Sequence, residues 1–428
     1  MSDGQGVVRA VSWRDMCPWL IIFRSFGLAL RGGMLLAATA AVLLTPLGWK
    51  LADVAFISAE SREANPGFAR SAERLGSWPS GGAATARSAD DVLEHLGRTR
   101  SLAAEAFHQI TSPFRSLFST GLTTQQTAFY IFGALWTLAI WAFFGGLITR
   151  MAAVELGREE RITLKEAVLF TGRKYVSYLV APLAPLCVVL LILLLSIPVG
   201  WLMAADATLP FAGLLWILVL LGGFVSAVVL LGLLLGWPLM WATVSSEGTD
   251  AFDALSRGYA YTFQRPLHYL FYAVLVLLFG ALASLLVSLF ADSVVGLAYW
   301  ATGWGAGNER IGVVQAYVAG GGEPSGMQWM GVSLIGALNS LVYCFATGFA
   351  FSFFWCAATA VYLLLRYDVD QTEFDEIHMD DEDVSYALPP LMRDEAGVPT
   401  APSADQGAEA AAASGEGDGD GDGSHAAT

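Results

Sequence analysis

Histidine and cysteine are the residues that most often hold metals, and their spacing decides whether they can do so. The five histidines are scattered along the chain: His95, His108, His268, His378 and His425. No two of them stand at the spacing of a metal site, and there is no HExxH motif. The four cysteines lack CxxC spacing: Cys17, Cys187, Cys344 and Cys356. We expect the cysteines to pack as small buried apolar side chains rather than to form a disulfide framework.

A second candidate for chemistry is a cluster of acidic residues, Glu247, Asp250 and Asp253, close to Arg257 in sequence. Such a cluster could bind a cation or a basic partner. Helix capping by an aspartate together with solvated ion pairs explains the same residues more simply. We favour the capping interpretation.

The C-terminal end carries an alternation of aspartate and glycine. Asp418, Asp420, Asp422 and Gly423 match the first half of a calcium-binding EF-hand loop, but the sequence ends at Thr428, before the position of the bidentate glutamate. This low-complexity acidic sequence is expected to be disordered rather than to bind calcium.

Motifs of catalysis are missing from the rest of the chain. There is no phosphate-cradling glycine loop, no nucleophile elbow and no pair of carboxylates inside an apolar segment. The sequence therefore predicts no catalytic residue, no cofactor-binding residue and no metal ligand, and it does not favour an enzyme. A basic face for nucleic acid is also missing, which excludes that class of partner.

Composition points to a membrane protein, because 55% of the 428 residues are hydrophobic and 14% are charged, against about 25% charged in an ordinary soluble domain. A spanning helix needs about 20 mostly apolar residues. Six stretches meet or approach that length: 32–49, 128–149, 177–204, 211–244, 269–291 and 331–365. The sequence thus predicts an all-α, six-span transmembrane bundle. The fourth and sixth stretches are the longest, which predicts tilt and a projecting cytoplasmic end.

The placement of lysine and arginine predicts the orientation of the spans. With the N-terminus inside, 14 basic residues fall on the cytoplasmic side and one, Arg310, falls in a short outer loop. The long segment 50–127 is set aside, because long loops translocate largely regardless of charge. We expect a multi-pass protein of the bacterial inner (plasma) membrane with both termini in the cytoplasm.

The pattern divides the chain into a cytoplasmic lead-in (1–31), a six-span membrane domain (32–366) and an acidic, largely disordered cytoplasmic tail (367–428). The tail holds 17 acidic residues and one base, Arg393, so nearly all of the net charge of -15 belongs to it. Segment 50–127 is polar and is expected to be an extracytoplasmic helical insertion.

Local patterns refine these outer and inner segments. In the insertion, Ser88 and Asp91 resemble a capping box and predict a helix that runs to Pro113. Its apolar face would hold Val92, Leu96, Ala103, Phe107 and Ile110. At the start of the tail, Phe374 and Ile377 are three apart and could dock against the bundle. The segment 292–330, rich in glycine and aromatic residues, is expected at the membrane interface.

An internal repeat precedes the third and fifth spans. Thr163 with Glu166, and Asp250 with Asp253, each place a capping residue three positions before a carboxylate. Both starts lead into an apolar face and then into basic residues, which predicts a short cytoplasmic in-plane helix before each span. The first span has a weaker lead-in from Ser12, which Pro18 would interrupt.

Two stretches carry a resemblance to a known group of proteins. They read EGTDAFDALSRGYAYTFQRPLHYLFY and LLLRYDVDQTEFDEIH. They resemble uncharacterised multi-spanning membrane proteins of bacteria such as planctomycetes. The resemblance covers residues 128–380, implies the six-span layout and transfers no functional residue.

Two function classes remain. The first is a non-enzymatic scaffold, assembly factor or accessory component that uses its in-plane helices and acidic tail to contact proteins. The second is a transporter or channel for a small or uncharged solute. The apolar stretches contain no Asp, Glu, Lys, Arg or His, and such groups usually mark ion pathways. The sequence therefore favours the first class. A polar cavity between the spans would reverse that order.

Overall fold

The computed structural model describes residues 17–58, 62, 65–78, 102–119, 121–379, 392–393 and 399–400. After a 3-10 turn over Pro18–Leu20, these residues form eleven α-helices: α1 Ile21–Ala29, α2 Gly32–Phe56, α3 Pro66–Leu75, α4 Leu102–Ser116, α5 Thr124–Gly157, α6 Leu164–Met203, α7 Leu209–Glu247, α8 Ala251–Gln264, α9 Pro266–Ala306, α10 Asn308–Val318 and α11 Met327–Asp370. The chain divides into two compact units, Met1–Ile377 and His378–Thr428. In the second unit, strands β1 Met392–Arg393 and β2 Pro399–Thr400 pair antiparallel.

The expectation of an all-α bundle with six spans is confirmed. The six helices long and apolar enough to cross a membrane are α2, α5, α6, α7, α9 and α11. The longest, α11, has 44 residues, which is about 66 Å at 1.5 Å per residue, against a hydrocarbon core of about 30 Å. Such helices exceed the bilayer core unless they tilt or project beyond it.

Helix α11 is the centre of the bundle. In its most apolar stretch 94% of the residues are buried, whereas in that of α7 only 11% are. On α11, Trp355 stacks against Trp241 of α7 with ring centroids 4.6 Å apart, and Phe351 stacks on Trp141 of α5 at 4.1 Å. The core therefore lies where α5, α7 and α11 meet, and the first half of α7 leaves its apolar surface uncovered by the rest of the chain.

The predicted helix start before the third span is correct, but the predicted separate helix there is wrong. Thr163 and Glu166 form a reciprocal capping box, as the spacing indicates. Helix α6 then continues without a break to Met203. The reason is that Ala167, Phe170 and other residues of its first turns are buried against the bundle, and nothing between Leu164 and the first proline, at 182, interrupts the helical hydrogen bonds.

Before the fifth span the prediction of a separate helix is confirmed. Asp250 accepts hydrogen bonds from the amides of Phe252 (2.9 Å) and Asp253 (3.0 Å), and α8 ends before Arg265. Pro266 opens α9, and a proline restricts the residue before it to a non-helical conformation. The break between the two helices therefore follows from the sequence itself.

The GxxxG pair of α7 is a close-contact surface for α8. A Cβ atom on Gly232 would lie 2.3 Å from the ring of Tyr259, and one on Gly236 would lie 3.0 Å from the carbonyl oxygen of Gly258. The two glycines thus allow α8 to approach the α7 backbone, as such motifs do.

A separate helix, α1, precedes the first span and begins at Ile21. The start predicted at Ser12 lies outside the described residues. Pro18 begins a 3-10 turn, and α1 follows from Ile21. The chain then leaves the helical conformation at Arg31, whose φ and ψ of -66° and 136° are extended, and α2 begins at Gly32.

The segment 292–330 is more helical than the sequence indicates. The fifth span was expected to end at residue 291, but α9 continues to Ala306 and therefore includes Trp300 and Trp304. Helix α10 follows in the remainder of segment 292–330. The helix continues because most residues after Asp292 are apolar, and a single polar residue does not end it.

Helix α4 packs against the spanning helices α5, α9 and α11. Its buried residues are Ala103, Ala106, Ile110 and Pro113. The ring of Phe107 lies 5.9 Å from that of Trp237 on α7 and 6.4 Å from that of Phe354 on α11. The helix continues past Pro113 to Ser116, so the predicted end is wrong. Its predicted start at Ser88 lies outside the described residues.

The first residues after α11 dock as predicted. Ile377 is 3% exposed, and the ring of Phe374 stacks on Tyr367 with centroids 5.2 Å apart. A Cβ atom on Gly157 would lie 2.4 Å from the carbonyl oxygen of Phe374, so the glycine at the end of α5 makes room for this segment. The expectation of disorder falls on residues outside the described part of the tail.

Candidate functional site

A cavity of about 590 Å³ lies between the spanning helices α2, α5 and α11, and α3 and α4 close its remaining sides. Polar and charged groups form much of its wall: Thr45, Arg74, Ser77, Glu105, His108, Gln109, Ser112, Thr137 and Thr347. Aromatic rings form most of the remainder: Trp49, Trp78, Trp141 and Phe351. We refer to this space as the polar cavity.

The polar cavity lies far along the spanning helices that surround it. Thr137 is 13 residues beyond Thr124, the first residue of α5, which is about 20 Å along the axis. Thr347 is 20 residues after the start of α11 and 23 before its end, or about 30 Å and 35 Å. Thr137 and Thr347 therefore lie well inside the lengths of their helices, whereas Arg74, His108 and Gln109, on the α3 and α4 side of the cavity, are exposed.

The sequence of α4 explains why its polar side faces this cavity. Glu105, His108, Gln109 and Ser112 recur at the spacing i, i+3, i+4 and i+7, which places them on one face of the helix. Gln109 Nε2 donates a hydrogen bond of 2.9 Å to Glu105 Oε1 on that face. The buried face is formed by alanines, Ile110 and Pro113. An amphipathic helix is thus inserted with its polar side toward the cavity.

The opposite wall is held in place by tryptophans that donate hydrogen bonds. Trp49 Nε1 lies 3.2 Å from Thr137 Oγ1, and Trp78 Nε1 lies 3.1 Å from the carbonyl oxygen of Leu43. Lys50 Nζ lies 3.6 Å above the centre of the Trp78 ring, in a cation–π contact. A Cβ atom on Gly133 would lie 2.1 Å from the Trp49 ring. The wall of α2 and α5 is therefore closely packed.

Two further cavities lie beside α4, and their walls are almost entirely apolar. One of about 630 Å³ is bounded by α4, α7, α9 and α11, and one of about 230 Å³ is bounded by α4, α5, α6 and α7. His108 contributes to the walls of both the polar cavity and the larger apolar cavity. Arg115 contributes to both apolar cavities. Helix α4 therefore separates polar from apolar space.

The acidic cluster of the sequence does not lie at these cavities. Glu247, at the end of α7, accepts a hydrogen bond of 2.7 Å from Arg257 and one of 2.5 Å from the hydroxyl of Tyr362. Arg366 Nε lies 3.5 Å from the same carboxylate oxygen. Asp250 caps α8. The capping and ion-pair interpretation is therefore confirmed for these two acids.

The electrostatics of the cluster follow from this pairing. Burial acts against the charge of Arg257, but the Glu247 carboxylate, together with Tyr261 and Tyr362, outweighs it and raises the pKa of the guanidinium. Burial raises the pKa of the Tyr261 hydroxyl, and so does its hydrogen bond to Asp370. Both groups keep their protons at neutral pH. They therefore remain hydrogen-bond donors, Arg257 to Glu247 and Tyr261 to Asp370.

Asp292 is an ionisable residue within a spanning helix that lies just outside the span predicted from the sequence, 269–291. Asp292 lies within α9, and the hydroxyl of Tyr343 on α11 donates a 3.0 Å hydrogen bond to its Oδ1. On the same pair of helices, Asn339 Nδ2 donates a 2.8 Å hydrogen bond to the Tyr299 hydroxyl oxygen. The signal for Asp292 in the sequence is the apolar run, which continues past residue 291 on both sides of this aspartate.

The remaining candidate residues are dispersed. Cys344 and Cys356 are buried as expected, but Cys187 is exposed, so that expectation is wrong for it. His95 and His425 lie outside the described residues. Within the described ranges, no group of three or more His, Cys, Asp or Glu residues is placed to hold a metal ion.

Comparison with protein-family models, with curated proteins and with solved structures finds no match to this chain. The class of protein therefore follows from the fold alone. Six apolar helices of spanning length define a multi-pass helical integral membrane protein.

Proposed function

We propose that this protein binds a small solute, or the polar part of one, in the polar cavity and acts as a transporter-type membrane protein. The single observation that carries the proposal is a cavity of about 590 Å³ with polar walls between α2, α5 and α11. Polar and ionisable groups within membrane bundles are costly and usually mark a substrate path. The cavity reverses the preference for a scaffold that the sequence suggests.

Each wall would have its own role in this proposal. The face of α4 offers both donors and acceptors through His108, Gln109 and Ser112, while Thr137 and Thr347 add hydroxyl groups from the spanning helices. Arg74 on α3 adds a positive charge. These groups suit a solute that both donates and accepts hydrogen bonds, and the aromatic walls suit its apolar edges.

Transport requires two arrangements of the protein around one site. Helix α4 is the element suited to move, because open space adjoins it on three sides: the polar cavity and the two apolar cavities. The tightly packed contact of α2 with α5, by contrast, suits the part that stays fixed. Movement of α4 would open and close the polar cavity without disturbing that packing.

Thiol labelling tests whether the polar cavity is open to water. In a background with Cys17 and Cys187 changed to serine, we expect Ser112→Cys to react with a charged methanethiosulfonate reagent in membrane vesicles. The control Leu221→Cys is on the exposed apolar surface of α7 and should stay unlabelled, because a charged reagent is excluded from lipid.

The labelling result discriminates between the two function classes. Reaction of Ser112→Cys in the folded protein supports the proposal. Reaction only after denaturation, with Leu221→Cys equally unreactive, would contradict a solute cavity and favour a scaffold or accessory component. The specific observation in favour of that second class is the uncovered apolar surface of α6 and α7, where residues such as Leu194 and Leu218 are exposed to lipid or to a partner helix.

The proposed location is a bacterial inner membrane, with both termini in the cytoplasm. The support is the distribution of basic residues, with 14 on the proposed inner side and Arg310 alone in a short outer loop. A phosphatase reporter fused after residue 100 should be active, and one fused at the C-terminus should be inactive. Activity of both fusions would overturn this orientation.

A further inference from the structure

We propose that the solute is an anionic phospholipid, with an acyl chain in the larger apolar cavity beside α4, its phosphate beside Arg115 at the edge of that cavity, and the hydroxyl groups of its headgroup toward the polar cavity. This inference rests on the proposed function, since it names the substrate class of the same site. Its basis is the continuity of polar and apolar space around one amphipathic helix, together with Arg115, which forms no ion pair with another residue in the described part of the chain.

His108 is the point where the two kinds of space meet. Its side chain borders the polar cavity and also the apolar cavity of about 630 Å³. A solute that occupied both would have to be polar at one end and apolar at the other. A lipid has this division of character, whereas a sugar or an amino acid would fill the polar cavity alone.

The apolar cavity suits an alkyl chain. Its volume of about 630 Å³ lies within the range of roughly 300–1,000 Å³ that is typical of ligand sites. Its walls include Phe107, Leu235, Ala273, Leu277 and Phe354, which offer no hydrogen bonds to a polar ligand. Dry apolar cavities of this kind accept apolar groups rather than water.

Arg115 supplies the charge that selects an anionic lipid. It is seven residues after His108 and therefore on the same side of α4, about 10 Å further along the axis. Its side chain is exposed, borders both apolar cavities, and forms no ion pair or side-chain hydrogen bond with another described residue. A guanidinium at the edge of apolar space is complementary to a lipid phosphate, which it can bind through two parallel hydrogen bonds.

A purely apolar ligand would leave this arrangement unexplained, because it would bury Arg115 without a counter-charge, and such burial is costly. A zwitterionic lipid would bring a cationic group close to Arg115 and His108. The negative headgroup of an anionic phospholipid satisfies the arginine and leaves its hydroxyl groups for the polar walls.

The test uses the full-length protein, stripped of lipid in detergent and examined by native mass spectrometry. The probes are phosphatidylglycerol, phosphatidylcholine with the same chains, and glycerol 3-phosphate. We expect one phosphatidylglycerol per chain, at least tenfold weaker binding of phosphatidylcholine, and no binding of glycerol 3-phosphate at the same concentration. Phosphatidylglycerol should also slow the labelling of Ser112→Cys.

Two variants localise the binding. Arg115→Gln should weaken phosphatidylglycerol binding at least tenfold, and Ala104→Trp, which fills the apolar cavity from α4, should do the same. The matched control is Arg310→Gln, because Arg310 is an exposed arginine on α10, far from α4 in sequence. This variant should bind phosphatidylglycerol as tightly as the unsubstituted protein does. Thermal melting of each variant checks that the fold is retained.

The possible outcomes separate the two proposals. Labelling of Ser112→Cys without phosphatidylglycerol binding overturns the lipid inference and leaves the proposed function standing. Equal binding of the two phospholipids also overturns the lipid inference. So does phosphatidylglycerol binding that Arg115→Gln and Ala104→Trp leave unchanged, because both results are expected for lipid bound around the outside of the bundle. Failure of Ser112→Cys to label overturns the proposed function itself.

Discussion

Glu247→Gln should lower the free energy of unfolding by about 3–5 kcal/mol, because it breaks a buried charge pair by removing one partner. The side chains of Glu247 and Arg366 are only 9% and 8% exposed. Without the carboxylate, Arg366 keeps its hydrogen bond to the carbonyl oxygen of Glu376 but loses its ion pair within the described part of the chain. Thermal and denaturant unfolding in detergent would measure the loss.

Further partners make the effect of this substitution large. Glu247 accepts hydrogen bonds from Arg257 on α8 and from Tyr362 on α11, so it joins three helices at one end of the bundle. Glutamine keeps one acceptor oxygen, but without the negative charge it binds the two guanidinium groups more weakly. The loss therefore extends to the packing of α8 on the ends of α7 and α11.

Glu160→Gln is the matched control for this prediction. Glu160 also pairs with an arginine, Arg158 at 3.5 Å, but its side chain is 58% exposed. Exposed pairs contribute about 0–1 kcal/mol, so this variant should melt close to the unsubstituted protein. If the two variants lost the same stability, the network around Glu247 would be a set of solvated surface pairs and not a structural element.

The second large effect is expected at the crossing of α2 and α11. A Cβ atom on Gly348 would lie 2.3 Å from Thr39 Oγ1 and 3.0 Å from the backbone nitrogen and Cα of Thr39. Backbone atoms cannot rotate away, so Gly348→Ala must push the two helices apart. Overpacking of this kind costs about 1–3 kcal/mol, and larger side chains should cost more.

Gly331→Ala on the same helix is the control, because no atom lies within 4 Å of the Cβ atom it would create. There the replacement should be neutral or should stabilise by up to about 1 kcal/mol through helix propensity. Adding Thr39→Ala to Gly348→Ala should recover part of the loss, since it removes the nearest atom, and contacting residues are not additive. Equal melting of the two single variants would contradict a close crossing at Gly348.

Several features of this protein could be predicted from the sequence because they depend on local or periodic signals. Long apolar runs can cross a bilayer only as helices, which satisfy their own backbone hydrogen bonds, so the six spans were predictable. Capping at Thr163 and Asp250 was predictable because a cap needs only a side chain and amides within three residues. The separation of α8 from α9 followed from Pro266.

Where the predictions were wrong, a tertiary contact outweighed a local signal. The helix that begins at Leu164 was expected to lie apart from the span, but one face of its first turns, with Ala167 and Phe170, is buried and the helix continues unbroken to Met203. The second outer segment was expected to leave the helix near residue 291, yet α9 includes Asp292, whose carboxylate accepts a hydrogen bond from Tyr343 on α11. A partner on another helix satisfies a polar group that, in sequence alone, resembles the end of a span.

The candidate site was decided almost entirely by the tertiary structure. By itself, the sequence of α4 indicates only an amphipathic helix in a polar insertion, and helical spacing places His108 and Ser112 on one face of it. That spacing does not say what the face meets, because Thr137 and Thr347 come from spans far away in the chain. The sequence determined six membrane helices and their caps, since these depend on neighbouring residues. Only the fold placed α4 between them, because the space between helices is set by how their surfaces pack.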